Sequence, residues 1–429
     1  MKKIFTIFAL VVLFFFCGSI LLRFTVKNTL IDNGIENKWT DIVFFDAKET
    51  FIRESDNDDK ESLLFNEAVK EKLLSNAEQK IFNSKNYIFV ENNDNFYLRI
   101  KEKINKYTTE HLVFNKVIAR IGNFSDFLLD NKILPNRVID LGDGYLAEPY
   151  PKDSIKNIDA IVQKVGYFKH ILDSIGIPLV YAQYPSVICN DDEVSKTGKD
   201  FTNQAGLELM EKLSQIGVSI IDLSKECRHS HFYKTDHHWQ VKTSIWVGQT
   251  ISKKLNELYG FNLKVELLDT NNFTEKLARK WLGSMGEKVI PLYEKENFYI
   301  YSPKYATDIN WLLFYNKLFQ SKLFQSSGNF DSLYHFVSDT IENKGAYGAA
   351  YPSLSFSQNS NLPDGKKILL IGDSYNNPLS KFLALVFKEV NFIYRSSSLL
   401  DDYLANKPDV VVLGFSKKIF IEDPKKLIF

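Results

Sequence analysis

The sequence predicts an α/β protein with three layers, in which helices cover both faces of a parallel sheet, with one insertion and an N-terminal transmembrane helix. The first observation is two successive helix–glycine–strand units, 155–182 and 207–223, because helices that alternate with buried strands favour parallel pairing. The second is an apolar strand, 367–371, that ends at Gly-Asp-Ser and is followed by a helical pattern.

Composition limits the classes of function. The chain has 429 residues, with Lys+Arg and Asp+Glu equal at 53 each, so its formal net charge is zero. A neutral balance argues against nucleic-acid binding by bulk electrostatics. A hydrophobic fraction of 45% indicates a well-formed core rather than disorder.

The N-terminal segment, 1–27, predicts a membrane anchor or a signal sequence. Residues from Ile4 to Leu22 are almost wholly apolar, and a helix of that length spans roughly 28 Å, about the thickness of the hydrocarbon core. Lys2 and Lys3 place the start of the chain in the cytoplasm. We favour an uncleaved single-pass anchor because no small-x-small cleavage site follows the apolar run; secretion after cleavage is the alternative. Either way, the bulk of the chain is expected to be exported from a bacterial cell.

The next region, 28–113, is polar and charged with patchy helical character, and we interpret it as a juxtamembrane spacer. The α/β domain is assigned to 114–429. It begins with a helical pattern over 114–128 and a strand–turn–strand pattern over 137–146.

The core elements of the domain follow from periodicity and glycine placement. Apolar residues three or four apart predict a helix over 155–175, and Gly176 ends it before strand 177–182. A second helix, 207–216, precedes Gly217 and strand 218–223, and a covering helix is predicted over 245–255. Residues 262–345 break this rhythm; we interpret them as an insertion, part extended and part helical, that walls the site.

The sheet resumes at strand 367–371, and a helix is predicted over 376–386. Strands 390–394 and 409–413 follow, separated by a helix-like segment, 399–404.

Ser374 is the first candidate catalytic residue. A serine at a strand-to-helix turn points its hydroxyl over the carboxyl edge of a parallel sheet, and its backbone N–H lies near a helix N-terminus, where negative charge is stabilised. This position suits a hydrolase or acyltransferase nucleophile. A loop serine without chemistry is the alternative.

The stretch Asp236-His237-His238-Trp239 supplies an acid and a base two positions apart. A serine hydroxyl needs an imidazole to accept its proton, and the imidazole needs a carboxylate to fix its tautomer. Asp236, His238 and Ser374 fit these three roles. A purely structural loop and a metal site are the alternatives, but third and fourth metal ligands are not evident, so no metal and no cofactor are expected.

Several neighbouring residues have structural interpretations. Asp373 is expected to stabilise the turn that carries Ser374. Trp239 is expected to pack beneath the loop 233–239, called here the histidine loop, and Gly283 and Gly286 are expected to meet backbone requirements.

These motifs together resemble the DHHW-type branch of the SGNH hydrolase-like proteins, related to those that O-acetylate alginate and other exported polysaccharides. The resemblance rests on the stretches 235–239, 371–375 and 407–411 and covers about residues 110–429. Its motif order is permuted, with the Asp-x-His loop before the serine. The resemblance implies Ser374 as nucleophile, His238 as base and Asp236 as its orienter. Candidate oxyanion or substrate contacts are Asn377, Arg395 and Tyr375.

The resemblance implies a membrane-anchored O-acetyltransferase of a cell-surface or secreted polysaccharide, supplied by a membrane-bound acyltransferase partner. Two alternatives stay open: a carbohydrate acetyl esterase with the same triad, and a non-catalytic glycan-binding or assembly scaffold. The glycan and the oligomeric state are not indicated by the sequence. A Cys189–Cys227 disulfide is a further open possibility in an exported domain.

Overall fold

The computed structural model describes residues 88–89, 138–156, 158–226, 228–289, 293–317, 320–336, 354–394, 400–422, 424 and 427. Five predictions lie outside these residues: the anchor 1–27, the spacer 28–113 apart from 88–89, the helix 114–128, Arg395 and Cys227. Within the described part of the chain, no helix combines the length and hydropathy that a bilayer crossing requires.

The described residues contain these strands: β1 Ile88–Phe89, β2 Ile139–Asp140, β3 Leu146–Ala147, β4 Leu179–Gln183, β5 Ser219–Asp222, β6 Phe273–Trp281, β7 Glu296–Pro303, β8 Ile309–Lys317, β9 Gln320–Ser326, β10 Leu354–Asn359, β11 Lys367–Gly372, β12 Glu389–Tyr394 and β13 Val410–Phe415. The α-helices among the same residues are α1 Ile158–Ser174, α2 Glu193–Lys196, α3 Thr202–Gln215, α4 Val241–Tyr259, α5 Ser284–Lys288, α6 Asn376–Leu383 and α7 Leu400–Ala405.

The central sheet has the strand order β1-β9-β8-β10-β12-β11-β13-β4-β5. Its segment from β12 to β5 is parallel, as the helix–glycine–strand units predicted. The prediction of a parallel sheet is incomplete, because β10, β8, β9 and β1 extend the same sheet in antiparallel pairs. Strands β8 and β9 follow each other with only residues 318–319 between them, and so short a connection permits only antiparallel pairing.

Helices cover both faces of the parallel segment, which confirms the three layers. Alternate residues of β11 point to opposite faces: Ile368 and Leu370 pack with α4 and α6, whereas Leu369 and Ile371 pack with α1 and α3. All four are at most 2% exposed. Burial on both faces explains why the strand is a continuous apolar run.

The predicted strand–turn–strand pattern is observed as the hairpin of β2 and β3. Its turn residues Gly142, Asp143 and Gly144 all have positive φ, which two glycines make possible. The predicted insertion is part extended and part helical. It supplies β8 and β9 to the sheet, and it forms a separate hairpin of β6 and β7 that carries α5 between its strands.

Candidate active site

Three side chains from two distant parts of the chain meet at the carboxyl edge of the parallel strands. Ser374 follows the end of β11, and its Oγ lies 2.7 Å from Nε2 of His238. The other ring nitrogen of His238, Nδ1, lies 2.6 Å from Oδ1 of Asp236. With Nδ1–H donating to the carboxylate, Nε2 is left as the acceptor for the serine hydroxyl. The three residues that the sequence analysis grouped are therefore in hydrogen-bond contact in the order that a serine nucleophile requires.

The turn that carries Ser374 is fixed by hydrogen bonds beneath it. Fully buried Asp373 accepts the backbone N–H of Tyr375 at 3.1 Å through Oδ1. Its Oδ2 accepts the N–H and the hydroxyl of Ser416, after β13, at 2.9 and 2.6 Å. A side chain at Gly372 would collide with the carbonyl of Gly414. Asp373 thus ties the serine turn to the neighbouring strand, the role expected from the sequence.

Asp236 is 2% exposed and is surrounded by donors. Besides the His238 ring, Oδ1 accepts the backbone N–H of His238 at 2.9 Å, and Oδ2 accepts the N–H of Ser284 at 2.7 Å. Burial alone would raise the pKa of Asp236, but the positive charge that the adjacent His237 and His238 rings can carry, together with these hydrogen bonds, holds that pKa well below its usual value. Asp236 is consequently a carboxylate at any pH at which the protein is expected to act.

His237 occupies a different environment from His238. Its Nδ1 lies 3.0 Å from Oγ of Ser284, and its carbonyl oxygen accepts a hydrogen bond from the Tyr375 hydroxyl. Its ring lies 3.9 Å from that of His238, centroid to centroid, and its buried Nε2 has no hydrogen-bond partner among the described residues. Burial and then the charge on His238 and Lys418 lower the pKa of His237 well below its usual value. His237 is therefore neutral in the folded protein.

This burial predicts a pH-dependent loss of stability that His237→Gln reduces. Because the pKa of folded His237 lies below the unfolded value of about 6.5, the unfolded chain takes up the proton first and stability falls as pH drops below that value. Between pH 7.5 and 5.5 the wild type should lose about 1 kcal/mol of unfolding free energy that the glutamine variant keeps. Denaturant unfolding of both proteins at the two pH values measures the difference. Equal losses in both would contradict a neutral buried His237.

Trp239 packs beneath the loop, as expected. Its side chain is fully buried, between the rings of Tyr184 and Tyr375, each 4.9 Å away centroid to centroid. Its neighbour Tyr375, a candidate oxyanion or substrate contact, is only 3% exposed, and its hydroxyl donates to the His237 carbonyl. In this structure Tyr375 supports the histidine loop.

The segment between β6 and β7 makes hydrogen bonds to the histidine loop. The N–H groups of Met285 and Gly286 donate to the carbonyl of Thr235 at 3.0 and 2.9 Å, and the N–H of Gly283 donates to its hydroxyl at 2.9 Å. The insertion therefore contacts the residue next to Asp236 directly, and part of it walls the site.

Gly283→Ala tests this close approach. A Cβ at position 283 would collide with the side chain of Asp236 and the carbonyl of Thr235, so the hairpin would have to move. We expect a loss of about 1–3 kcal/mol in unfolding free energy and a parallel loss of activity. In the control Gly206→Ala, the added Cβ would lie 3.5 Å from the Gln183 side chain, an ordinary contact within α3. If both variants unfolded at the wild-type temperature, the tight packing at Gly283 would be refuted.

The remaining candidates are placed as follows. Asn377 lies in the first turn of α6, 4% exposed, and its N–H donates to the Ser374 carbonyl at 3.1 Å. Its Oδ1 has no hydrogen-bond partner among the described residues. Cys189 is half of a disulfide whose other half lies outside the described residues.

Among the described residues, two groups of side chains have the composition of metal ligands. Ligand atoms of Asp236, His237 and His238 lie within 4.8 Å of one another, but Asp236 and His238 direct theirs to each other and to Ser374. In the second group Asp192 and His229 approach Cys189, whose sulfur is oxidised and cannot serve as a thiolate ligand.

Sequence reasoning missed Ser284, which contacts both Asp236 and His237. The signal available was the pair Gly283 and Gly286 on either side of it, which marks a close approach of backbone to another segment.

Comparison with solved structures shows the fold. The chain is similar to PatB1 from Bacillus cereus, solved with a sulfonyl adduct, at a TM-score of 0.51 and 16% sequence identity over 68% of this chain and 97% of that one. A second PatB1 structure gives a TM-score of 0.50 at 18% identity, over 67% of this chain and 98% of that one. A DHHW family protein from Eubacterium siraeum gives 0.48 at 15% identity, over 70% and 95%. No family model and no curated protein matches the sequence. The similarity to PatB1 thus confirms the α/β fold that the resemblance implied.

Proposed function

We propose that this chain is an exported, membrane-anchored O-acetyltransferase that modifies a cell-surface or secreted polysaccharide through an acyl-enzyme on Ser374. The observation that carries the proposal is the continuous hydrogen-bonded series from Asp236 through His238 to Ser374. The PatB1-like fold is compatible with it. The resemblance carried by the DHHW-type motifs directs the choice among acyl-transfer reactions towards acetyl groups and glycans.

In the first half-reaction, Ser374 Oγ attacks the carbonyl carbon of an acetyl ester while His238 Nε2 accepts the hydroxyl proton. Asp236 stabilises the imidazolium that forms and keeps Nδ1 protonated. Collapse of the tetrahedral intermediate breaks the bond to the leaving alcohol, which takes the proton from His238, and leaves acetyl-Ser374.

Negative charge develops on the former carbonyl oxygen during this step. Donors suited to that charge are the backbone N–H of Ser374, at the turn into α6, and the side chain of Asn377 in the first turn of that helix. Asn377 is buried next to the serine, and a buried amide makes a hydrogen bond stronger than the same group in water.

In the second half-reaction, His238 removes the proton of a glycan hydroxyl, whose oxygen attacks the acetyl carbon. The bond from that carbon to Ser374 Oγ then breaks, and Oγ takes the proton back from His238. Ser374 is half-buried, so water also has access to this position. A carbohydrate acetyl esterase with the same triad is therefore the second candidate, and the two differ only in which nucleophile reacts faster.

The proposed location, anchored in the membrane with the catalytic domain outside the cytoplasm, is based on the N-terminal segment and the disulfide. An apolar run from Ile4 to Leu22 suits a single-pass anchor, and a disulfide at Cys189 suits an oxidising compartment outside the cytoplasm. A membrane-bound acyltransferase partner that carries acetyl groups across the membrane would supply the donor.

The test uses the full chain in detergent, with a chromogenic acetyl ester as donor and a panel of neutral and acidic oligosaccharides as acceptors. Acetylated oligosaccharide, detected by mass spectrometry, is the result expected for a transferase. Acetate release without acetylated sugar would identify an esterase. If neither product formed, and a sulfonyl fluoride also failed to label Ser374, the enzyme proposal would be overturned in favour of a scaffold.

A further inference from the structure

Glu296, the first residue of β7, binds the histidine loop with both oxygens of its carboxylate. Oε1 accepts the backbone N–H of Thr235 at 2.7 Å and the Thr235 hydroxyl at 2.6 Å. Oε2 accepts the backbone N–H of Lys234 at 2.9 Å. One side chain thus holds three donors from two consecutive residues, and the next residue in the chain is Asp236.

The other polar atoms of these two residues are held as well. The Lys234 carbonyl accepts the N–H of Leu146, on β3, at 2.7 Å. The Thr235 carbonyl accepts the N–H groups of Met285 and Gly286. Lys234 and Thr235 are therefore fixed between two hairpins, and Glu296 is the side chain that supplies the acceptors on one flank.

The chemistry of the position favours a carboxylate. Three hydrogens converge on two oxygens, and a carboxylate offers only acceptors. A glutamine would turn its NH₂ group towards the N–H of either Lys234 or Thr235, so at least one donor would face a donor. Charge-assisted hydrogen bonds are also shorter and stronger than neutral ones, which suits a clamp on a loop.

We propose that Glu296 is a positioning residue for the Asp236–His238 pair, acting through Lys234 and Thr235. Asp236 follows directly from the residue that Glu296 holds, and it makes both contacts with His238. The geometric part of this proposal stands on these contacts alone; its consequence for catalysis rests on the proposed acyl-transfer function.

Loss of the clamp should affect the reaction more than binding. A displacement of about 1 Å at a catalytic group lowers a rate by roughly 100-fold. Glu296→Ala should therefore lower kcat and the rate at which a sulfonyl fluoride labels Ser374 by roughly 100-fold. The KM for the ester should change little, since Glu296 touches no atom that the mechanism assigns to substrate. Glu296→Gln keeps acceptor capacity for part of the set, and it should recover part of the loss.

The matched control is Glu275→Ala. Glu275 lies on β6 of the same hairpin, and its carboxylate accepts a hydrogen bond from the Tyr301 hydroxyl, within the hairpin rather than at the histidine loop. A loss caused by a weakened hairpin would appear in this variant too, whereas a loss caused by a displaced histidine loop would appear only at Glu296.

The experiment records three quantities for the full-length wild type and the three variants: the labelling rate of Ser374, kcat and KM with the chromogenic ester, and the far-downfield proton resonance of the hydrogen-bonded Nδ1–H of His238. The proposal expects the resonance in wild type and Glu275→Ala, and its loss or broadening in Glu296→Ala. Labelling at the wild-type rate together with an unchanged resonance in Glu296→Ala would overturn it. Equal losses in Glu275→Ala and Glu296→Ala would also overturn it.

The resonance separates this proposal from the proposed function. If the wild type hydrolysed no ester and was not labelled, the enzymatic proposal would fail, and the resonance would still show whether Glu296 positions the pair.

Discussion

Ser374→Ala is expected to lower the rate of acetyl release and of acetyl transfer by at least about 10⁴-fold. The alanine removes the atom that forms the acyl bond and leaves His238 Nε2 without the hydroxyl now 2.7 Å away. Alanine offers no hydroxyl in place of the serine Oγ. Catalysis therefore falls to the level that oxyanion stabilisation and substrate binding supply alone. The same variant should form no sulfonyl adduct, which intact mass spectrometry measures directly.

Ser174→Ala is the control for this variant. Ser174 is the last residue of α1 and is exposed. Its hydroxyl donates a hydrogen bond to the Ile171 carbonyl at 2.7 Å. Because α1 ends just before β4 begins, Ser174 lies towards the amino edge of the parallel strands, opposite Ser374. Loss of the Ser174 hydroxyl should leave the rates of acetyl release and acetyl transfer equal to those of the wild type within experimental error. Activity in Ser374→Ala close to that of this control would show that the nucleophile is another residue.

The parallel strands could be predicted because their environment is uniform. Strands such as β11 and β13 are covered by helices on both faces, so nearly every position is apolar and the run itself is the signal. The helices α1 and α3 could be predicted for a related reason, since each buries one face and exposes the other. The antiparallel extension through β10, β8, β9 and β1 was not predicted, because the pairing of such strands with a distant sheet leaves no local pattern.

The triad could be predicted from residue types, but its supports could not. Asp236 and His238 share one loop, and a serine after a strand is recognisable by its turn. The contacts from the insertion run through backbone N–H groups, as at Ser284, and any non-proline residue would offer the same donor. Strand β6 is mostly exposed, so it also lacks the alternation that marks a strand with a core face.

The role of Glu296, which accepts hydrogen bonds, could not be predicted from the sequence either. From the sequence, a glutamate at the start of a half-exposed strand is interpreted as a solvated charge. Its role arises only because two hairpins meet at Thr235 in the folded protein. Long-range juxtaposition of this kind is set by tertiary packing.

Asp236→Asn is expected to lower kcat by about 10⁴-fold with little change in side-chain volume. The amide has nearly the volume of the carboxylate, and one of its atoms can still accept the Ser284 N–H. It cannot balance an imidazolium on His238, and its NH₂ group favours the tautomer in which Nδ1 accepts and Nε2 carries the proton. With that tautomer, Nε2 can no longer take the proton of Ser374.

The same assignment predicts the pH dependence of the wild type. Because the pKa of folded Asp236 lies well below the unfolded value of about 3.9, its ionised form contributes stability above that value, and this contribution is lost as pH falls through the folded pKa. The wild-type rate should therefore show no loss from protonation of Asp236 above about pH 4.

Asp192→Asn provides the matched comparison. Asp192 also pairs with a histidine, with Oδ2 3.0 Å from Nε2 of His229. His229 belongs to the same connection between β5 and α4 as His238, but its ring packs against Tyr145. Breaking this second pair should change kcat by less than about tenfold, as its loss shifts no reacting atom. If Asp236→Asn lowered kcat no more than Asp192→Asn does, the carboxylate of Asp236 would be a structural group of the loop, and the orientation of His238 would depend on other contacts.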